Sequence, residues 1–294
     1  MKARWILASA SILVSFLLLL FLASCRNLLP RQKAGGRALF PEKAIPEQFL
    51  QAAEQGDLEQ VRELIARDPS LLEVRDSSGW GALSYAAWGA HQQVHEYLLR
   101  QGAKGNLFTE AALGPLESFL GRLETNPIGV DSRDPKKKAS PLIWAVRTGN
   151  QVGCEVLISR GADVQAQDRD GNTALHHAAM MDRMDLLGFL LFAGADPEAA
   201  DNRGQTALHL ATSTGNFEAC RLLLDQGVSL DHPDSRGNTA LHIAAEQGDF
   251  ELCEYFLFLG AGAALKNLDG QTPLDLAQIK GHDRVVRLLD AHMQ

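Results

Sequence analysis

Apolar positions fall into two regimes along the chain. From Trp5 to Ser24 no residue is charged, and Leu17-Leu18-Leu19-Leu20-Phe21-Leu22 form an unbroken apolar stretch behind Lys2 and Arg4. Beyond residue 45 the pattern becomes a series of short amphipathic segments. Leu142, Leu175, Leu208, Leu241 and Leu274 recur every 33 residues, and Gly171, Gly204, Gly237 and Gly270 keep the same interval. A fixed period of this length marks a repeat array, in which each unit buries its apolar face only against its neighbours.

Within one unit the order of elements is legible. Asp168-Arg169-Asp170-Gly171 has turn chemistry, since Asp bonds its own backbone and Gly takes positive φ at little cost. Thr173 then N-caps a first helix, whose apolar face of Leu175, Ala178 and Ala179 is narrow enough for close helix approach. Leu190-Leu191 mark a second helix, ended by Gly194-Ala195-Asp196. Aligning first-helix anchors backwards adds Phe108, Leu83 and Phe49, which predicts eight units at about 45–78, 79–104, 105–137, 138–170, 171–203, 204–236, 237–269 and 270–294. The pairs Leu64-Ile65, Leu98-Leu99, Leu157-Ile158, Leu223-Leu224, Phe256-Leu257 and Leu288-Leu289 track them as second helices.

The segments Thr173-Ala174-Leu175-His176, Thr206-Ala207-Leu208-His209, Thr239-Ala240-Leu241-His242 and Thr272-Pro273-Leu274-Asp275 resemble the ankyrin signature, whose period is also 33. The resemblance is tight from 140 to 294 and looser before. It implies an all-α repeat solenoid of helix-turn-helix units with β-turn fingers, stacked in a curve. It also implies a concave face of finger tips and first-helix surfaces that binds other proteins. The family's variable positions align with Trp80, Trp88, Ala139, Arg147, Asp170, Met180, Met181, Arg203, Arg236 and Glu246. The two tryptophans stand out because interface energy concentrates in Trp, Tyr and Arg. The competing reading is that both pack over a defect in the array.

That defect is a spacing of 25 between the anchors Leu83 and Phe108. Only Arg100 to Leu107 separate Leu99 from Phe108, so most of one finger is missing and a gap in the finger row is expected. The third unit lacks the motif, and Asn126-Pro127-Ile128-Gly129 with Lys136-Lys137-Lys138 replaces the usual connection. This reads either as a hinge or lateral pocket, or as drift in a degenerate repeat.

Candidate chemistry is sparse. His176, His209 and His242 share one repeat position and, at a helix-packing distance of about 8–10 Å, are too far apart for one metal ion. The resemblance assigns them structural hydrogen bonds. His91 and His95 are i, i+4 and share a helix face, a geometry for two metal ligands or for plain polar surface. Cys154, Cys220 and Cys253 share one repeat position in the buried register of the second helix, where the fifth unit has Leu187, an odd set that forms no disulfide framework. No phosphate loop or nucleophile motif is present. The expectation is a non-enzymatic, cofactor-free, monomeric binding module. The alternatives are an inhibitor or immunity factor for a secreted toxin, and a metal-binding or enzymatic role through His91 and His95.

Charge and the leading segment complete the picture. The chain has 28 Lys and Arg against 36 Asp and Glu, a net −8 that argues against nucleic acid as partner. Seven of the basic residues and one acidic residue precede residue 44, so the repeats are strongly acidic. The run from Trp5 to Ser24 is long enough for a membrane-spanning helix. It ends in Leu22-Ala23-Ser24-Cys25, which resembles the lipobox of bacterial lipoproteins. The resemblance implies a signal peptide over 1–24, cleavage before Cys25 and acyl chains on that thiol. A flexible basic tether over 25–44 would then hold the ankyrin-repeat domain, 45–294, at the periplasmic side of the bacterial envelope, with the outer membrane favoured. An uncleaved N-terminal anchor is the alternative, and Arg26, Arg31, Lys33 and Arg37 fit it if they remain cytoplasmic.

Overall fold

The computed structural model describes residues 44–293, and these form sixteen α-helices in eight successive pairs. The pairs are α1 (Ile45–Gln55) with α2 (Leu58–Arg67), α3 (Ala82–Trp88) with α4 (Gln92–Arg100), α5 (Leu107–Leu113) with α6 (Leu116–Thr125), and α7 (Pro141–Thr148) with α8 (Gln151–Ser159). There follow α9 (Ala174–Met180) with α10 (Met184–Phe192), α11 (Ala207–Ser213) with α12 (Phe217–Asp225), α13 (Ala240–Gln247) with α14 (Phe250–Phe258), and α15 (Pro273–Lys280) with α16 (Asp283–Met293). Short 3₁₀ turns, Pro69–Glu73 and Pro127–Asp131, follow α2 and α6. The apolar run, Cys25 and the basic stretch to residue 43 lie outside the described residues.

Helices of 7 to 11 residues are too short to persist alone, so their stability comes from stacking. The odd-numbered helices contact one another in series from α1 to α15. Their shared face is a row of small residues, among them Ala52, Ala53, Ala86, Ala87, Ala111, Ala112, Ala145, Ala178, Ala179, Ala211, Ala244, Ala245 and Ala277, all fully buried. The second helices contribute Leu64, Leu98, Leu123, Leu157, Leu190, Leu223, Phe256 and Leu289. Cys154, Cys220 and Cys253 are buried free thiols in the register expected, and burial pushes each pKa up to about 12.

Histidine ties one unit to the next. Thr173 N–H donates to His176 Nδ1 at 3.2 Å, and His176 Nε2 meets the Gln205 carbonyl of the following unit at 3.0 Å. His209 repeats this toward Asn238 O, and His242 toward Gln271 O. In the last described unit Asp275 takes the position and accepts from Thr272 N–H at 2.8 Å. Successive fingers are joined by one backbone bond each: Arg169 to Lys137, Asn202 to Asp170, Ser235 to Arg203 and Leu268 to Arg236. At Gly171, φ is +85° and an added Cβ would stand 2.6 Å from the Asn202 nitrogen, so the turn and the neighbouring finger both demand glycine.

The third unit has no finger, as its short spacing predicts, but the expected gap is bridged. The fourth finger, residues 134–139, reaches back to the second. Trp80 Nε1–H donates to Asp134 Oδ1 at 3.0 Å, and Lys136 Nζ meets Asp76 Oδ2 at 3.0 Å and the Tyr85 hydroxyl. Helix α3 touches α7 directly, past α5. The buried apolar residues nevertheless divide at this seam. One cluster runs from Phe49 to Leu98; the other takes Trp80 and Ala87 and continues to Leu289.

Candidate partner-binding surface

The bridged seam builds an aromatic cluster. Trp144, at the second turn of α7, lies 5.1 Å from Trp80 and 5.1 Å from Trp88 between ring centroids, and Phe108 closes a third side at 5.9 Å. Trp80 is only 3% exposed. Its indole is committed to the interior and to Asp134, which also receives the Lys136, Lys137 and Ala139 backbone N–H groups. The tryptophan expected at a finger tip is therefore part of the core that fills the missing finger's place.

Trp88 remains half-buried at the end of α3 and anchors the surface. Arg147, from α7, lays its guanidinium over the Trp88 ring at 3.9 Å from the centroid, while its Nε and Nη2 donate to the Trp88 carbonyl at 3.2 and 3.1 Å. Its Nη1 donates to His177 Nδ1 at 3.1 Å, and His177 Nε2–H donates to Asp168 Oδ2 at 2.9 Å. The bonding requires a neutral imidazole with its proton on Nε2. Burial lowers the His177 pKa, and the adjacent Arg147 charge adds to this against the pull of Asp168. Burial also brings Arg147 down to about 10. Asp168 is raised by burial but more than offset by His177 and the Asn172 and Asp170 N–H groups, and ends lower than usual. The result is a rigid line of carboxylate, imidazole, guanidinium and indole, with both ring nitrogens of His177 already engaged.

Above this line is an open cavity of about 480 Å³. Five of the residues aligned with the family's variable positions line it: Trp88, Arg147, Asp170, Met180 and Arg203. Lys137, Asp168, Asn172, His177 and Asn202 complete the wall. Arg203 and Asp170 are exposed on neighbouring fingers, so the rim carries both signs of charge around an aromatic and thioether floor. Met181 ends α9 outside the cavity, Arg236 is exposed one finger further along, and Glu246 on α13 pairs with Lys280 at 3.2 Å. Sequence reading missed His177, although it was detectable: the same position is Leu210, Ile243 and Leu276 in the following units.

His91, the N-cap of α4, and His95, on α4, do not form a metal site among the described residues. His91 Nε2 meets the Glu54 carbonyl of the preceding unit at 2.9 Å, just as His282 meets Glu246 O at 3.0 Å and Arg183 meets Arg147 O at 3.2 Å. His95 is 1% exposed, which corrects its reading as polar surface. Among the described residues no group of three His, Cys, Asp or Glu side chains could hold a metal ion.

Comparison with known proteins agrees with this architecture. A family model described as ankyrin repeats in three copies matches residues 111–201 and 184–267. The chain is 31% identical over 71 residues to the NAD-capped RNA hydrolase NUDT12 of Macaca fascicularis, covering 24% of this chain and 15% of that protein. It is 45% identical over 56 residues to the mouse 85/88 kDa calcium-independent phospholipase A2, covering 19% and 7%. It is 30% identical over 134 residues to the target of rapamycin complex 2 subunit AVO2 of Saccharomyces cerevisiae, covering 42% and 31%. The chain thus spans less than a third of each of these relatives. The family matches together run from 111 to 267, more than half of the sequence, and the paired helices continue on both sides: the chain belongs to the ankyrin-repeat family.

Proposed function

We propose that this ankyrin array is a non-enzymatic interaction module that captures a protein partner on the face formed by its fingers and first helices, centred on the cavity at Trp88 and Arg147. Ankyrin repeats make protein–protein interaction modules, and the observation that carries the location is the convergence of Trp88, Arg147, Asp170, Met180 and Arg203 on one cavity. An aromatic floor held rigid by Arg147 loses little freedom on binding, and a rim of mixed charge selects register. The partner segment that fits is one presenting an apolar side chain to Trp88 and Met180 and an acidic group to Lys137 and Arg203. The test is capture from solubilised membranes with the whole chain and with Met180→Ala and Arg203→Glu, followed by mass spectrometry. Loss of one partner from both variants, with helical circular dichroism retained, supports this face. Undiminished capture discards it.

The module is further proposed to be tethered through acyl chains on Cys25 at the periplasmic side of a bacterial envelope, with the outer membrane favoured. The support is Leu22-Ala23-Ser24-Cys25 directly behind a basic start and an apolar run. Two or three acyl chains hold a protein stably on a bilayer, at about 0.8 kcal/mol per buried CH₂. Among the described residues no helix is long and apolar enough to cross a membrane. Cys25→Ala should abolish incorporation of labelled lipid and shift the mass of the mature chain. Lipid labelling that survives the substitution counts against the lipoprotein reading.

A further inference from the structure

Arginine covers an aromatic ring at two places along the row of second helices. The Arg284 guanidinium of α16 lies over the Phe250 ring of α14, 4.4 Å from its centroid, and the Arg62 guanidinium of α2 lies over the Tyr97 ring of α4 at 5.3 Å. Between α12 and α14 the same row holds two rings, Phe217 in the register of Phe250 and Tyr255 in the register of Tyr97, with their centroids 4.9 Å apart. Among the described residues no cation lies over either of them. The register of Arg284 is filled here by Glu251. The register of Arg62 is filled by Arg221, which turns along its own helix to Glu218 at 2.8 Å and Asp225 at 3.5 Å.

The result is an open recess of about 430 Å³ lined by Phe217, Glu251, Glu254, Tyr255 and Phe258. Both carboxylates are exposed, and neither has an ion-pair partner among the described residues. Phe258 is 84% exposed, although the same position is Asp225 in the preceding unit and Ala291 in the following one. Exposed apolar side chains gathered beside polar groups mark an interaction site. The chemistry here is selective for charge, because aromatic π-systems and carboxylates both attract a cation. A guanidinium fits better than an ammonium: it is planar and weakly hydrated, and it can stack on a ring while its N–H groups reach a carboxylate.

We propose that this recess receives an arginine side chain of a partner protein, its guanidinium against the Phe217 and Tyr255 rings and paired with Glu251 and Glu254, and its stem along Phe258. At Phe250 the array supplies the arginine itself, from the next unit; at Phe217 the same position supplies a carboxylate, and the arginine comes from outside. The site is independent of the partner-binding cavity at Trp88, with which it shares no residue.

The experiment uses the full chain in detergent with fluorotyrosine at its three tyrosines, Tyr85, Tyr97 and Tyr255, so that Tyr85 and Tyr97 serve as internal controls for the ¹⁹F signal of Tyr255. The probe is the capped tripeptide acetyl-Gly-Arg-Gly-amide, compared with its lysine and citrulline counterparts and with free arginine. The expected result is that the arginine peptide moves the Tyr255 signal alone, with Kd below about 10 mM, and that the uncharged citrulline peptide binds at least about tenfold more weakly. In the exposed variant Glu251→Arg the array should cover Phe217 as Arg284 covers Phe250, and probe affinity should fall at least about tenfold at unchanged helical content. No movement of the Tyr255 signal in that range overturns the proposal. So does equal binding of the citrulline or lysine peptide, or undiminished binding to Glu251→Arg. Free arginine binding more than about tenfold tighter than the peptide would assign the recess to a small molecule and overturn the protein partner.

Discussion

Trp80 and Asp134 stand 54 residues apart in sequence, yet the indole Nε1–H of one donates to the carboxylate of the other at 3.0 Å in the interior. This bond replaces a whole finger. With the third finger absent, the second and fourth close on each other, and the aromatic cluster of Trp80, Trp88 and Trp144 occupies the space between them. Trp80→Phe keeps the ring and removes the donor. Because Asp134 retains three backbone N–H partners, the expected loss is about 1–2 kcal/mol rather than unfolding. Equilibrium denaturation measures it, and a change near zero would show that the bond does not support the seam.

Lys136 is the second clasp across the seam. Its ammonium lies 4.3 Å from the Tyr85 ring centroid and 3.0 Å from Asp76 Oδ2, in a half-buried setting. Lys136→Met preserves the stem and deletes the charge, with an expected cost of about 1–2 kcal/mol. Amide hydrogen exchange should quicken across residues 45–100 while the units beyond 170 keep their protection, because the two buried clusters divide at this point. Uniform acceleration along the whole array would refute the clasp.

The tie from His176 to Gln205 gives a third prediction. His176→Ala removes the capping-box partner of Thr173 and the link to the following unit together, and should cost about 1–3 kcal/mol. Asp275→Ala, in the last described unit, loses only the bonds to Thr272 and should cost less. Equal losses in thermal denaturation would mean that the inter-unit bond contributes nothing.

Acid should loosen the array through the same histidines. Burial lowers the pKa of His176, His177, His209 and His242, and takes that of His95 from the ordinary 6.5 to about 4. The unfolded chain therefore binds protons that the folded chain refuses. This stabilisation is complete above pH 6.5 and declines as pH falls through the lowered folded values. His95 alone accounts for about 3 kcal/mol of that decline. His95→Leu should flatten the loss between pH 6.5 and 4, and an unchanged pH profile would exclude His95 as a contributor.

The three thiols provide a control on the depth of the core. Cys154, Cys220 and Cys253 are fully buried and their pKa values are raised, so the native array should resist thiol reagents at neutral pH and react only on unfolding. Prompt reaction of any of them in the folded state would contradict the buried register.

Residues alone determined the repeat. The 33-residue interval of Leu142 to Leu274 set the units, Thr173 and its counterparts set the helix starts, and paired alanines such as Ala178 and Ala179 set the close stacking, because each of these acts within one unit or on its immediate neighbour. The five cavity-lining residues among the variable positions were legible for the same reason: repeat register fixes which face a side chain occupies. Tertiary structure alone decided what happens where the period fails. That Trp80 turns inward to Asp134, that Arg147 spans a repeat to hold Trp88, and that His95 lies buried without a hydrogen-bond partner all depend on how far one unit can lean across a missing one. Those outcomes depend on distances between residues about 50 positions apart, and a local periodicity carries no information about them.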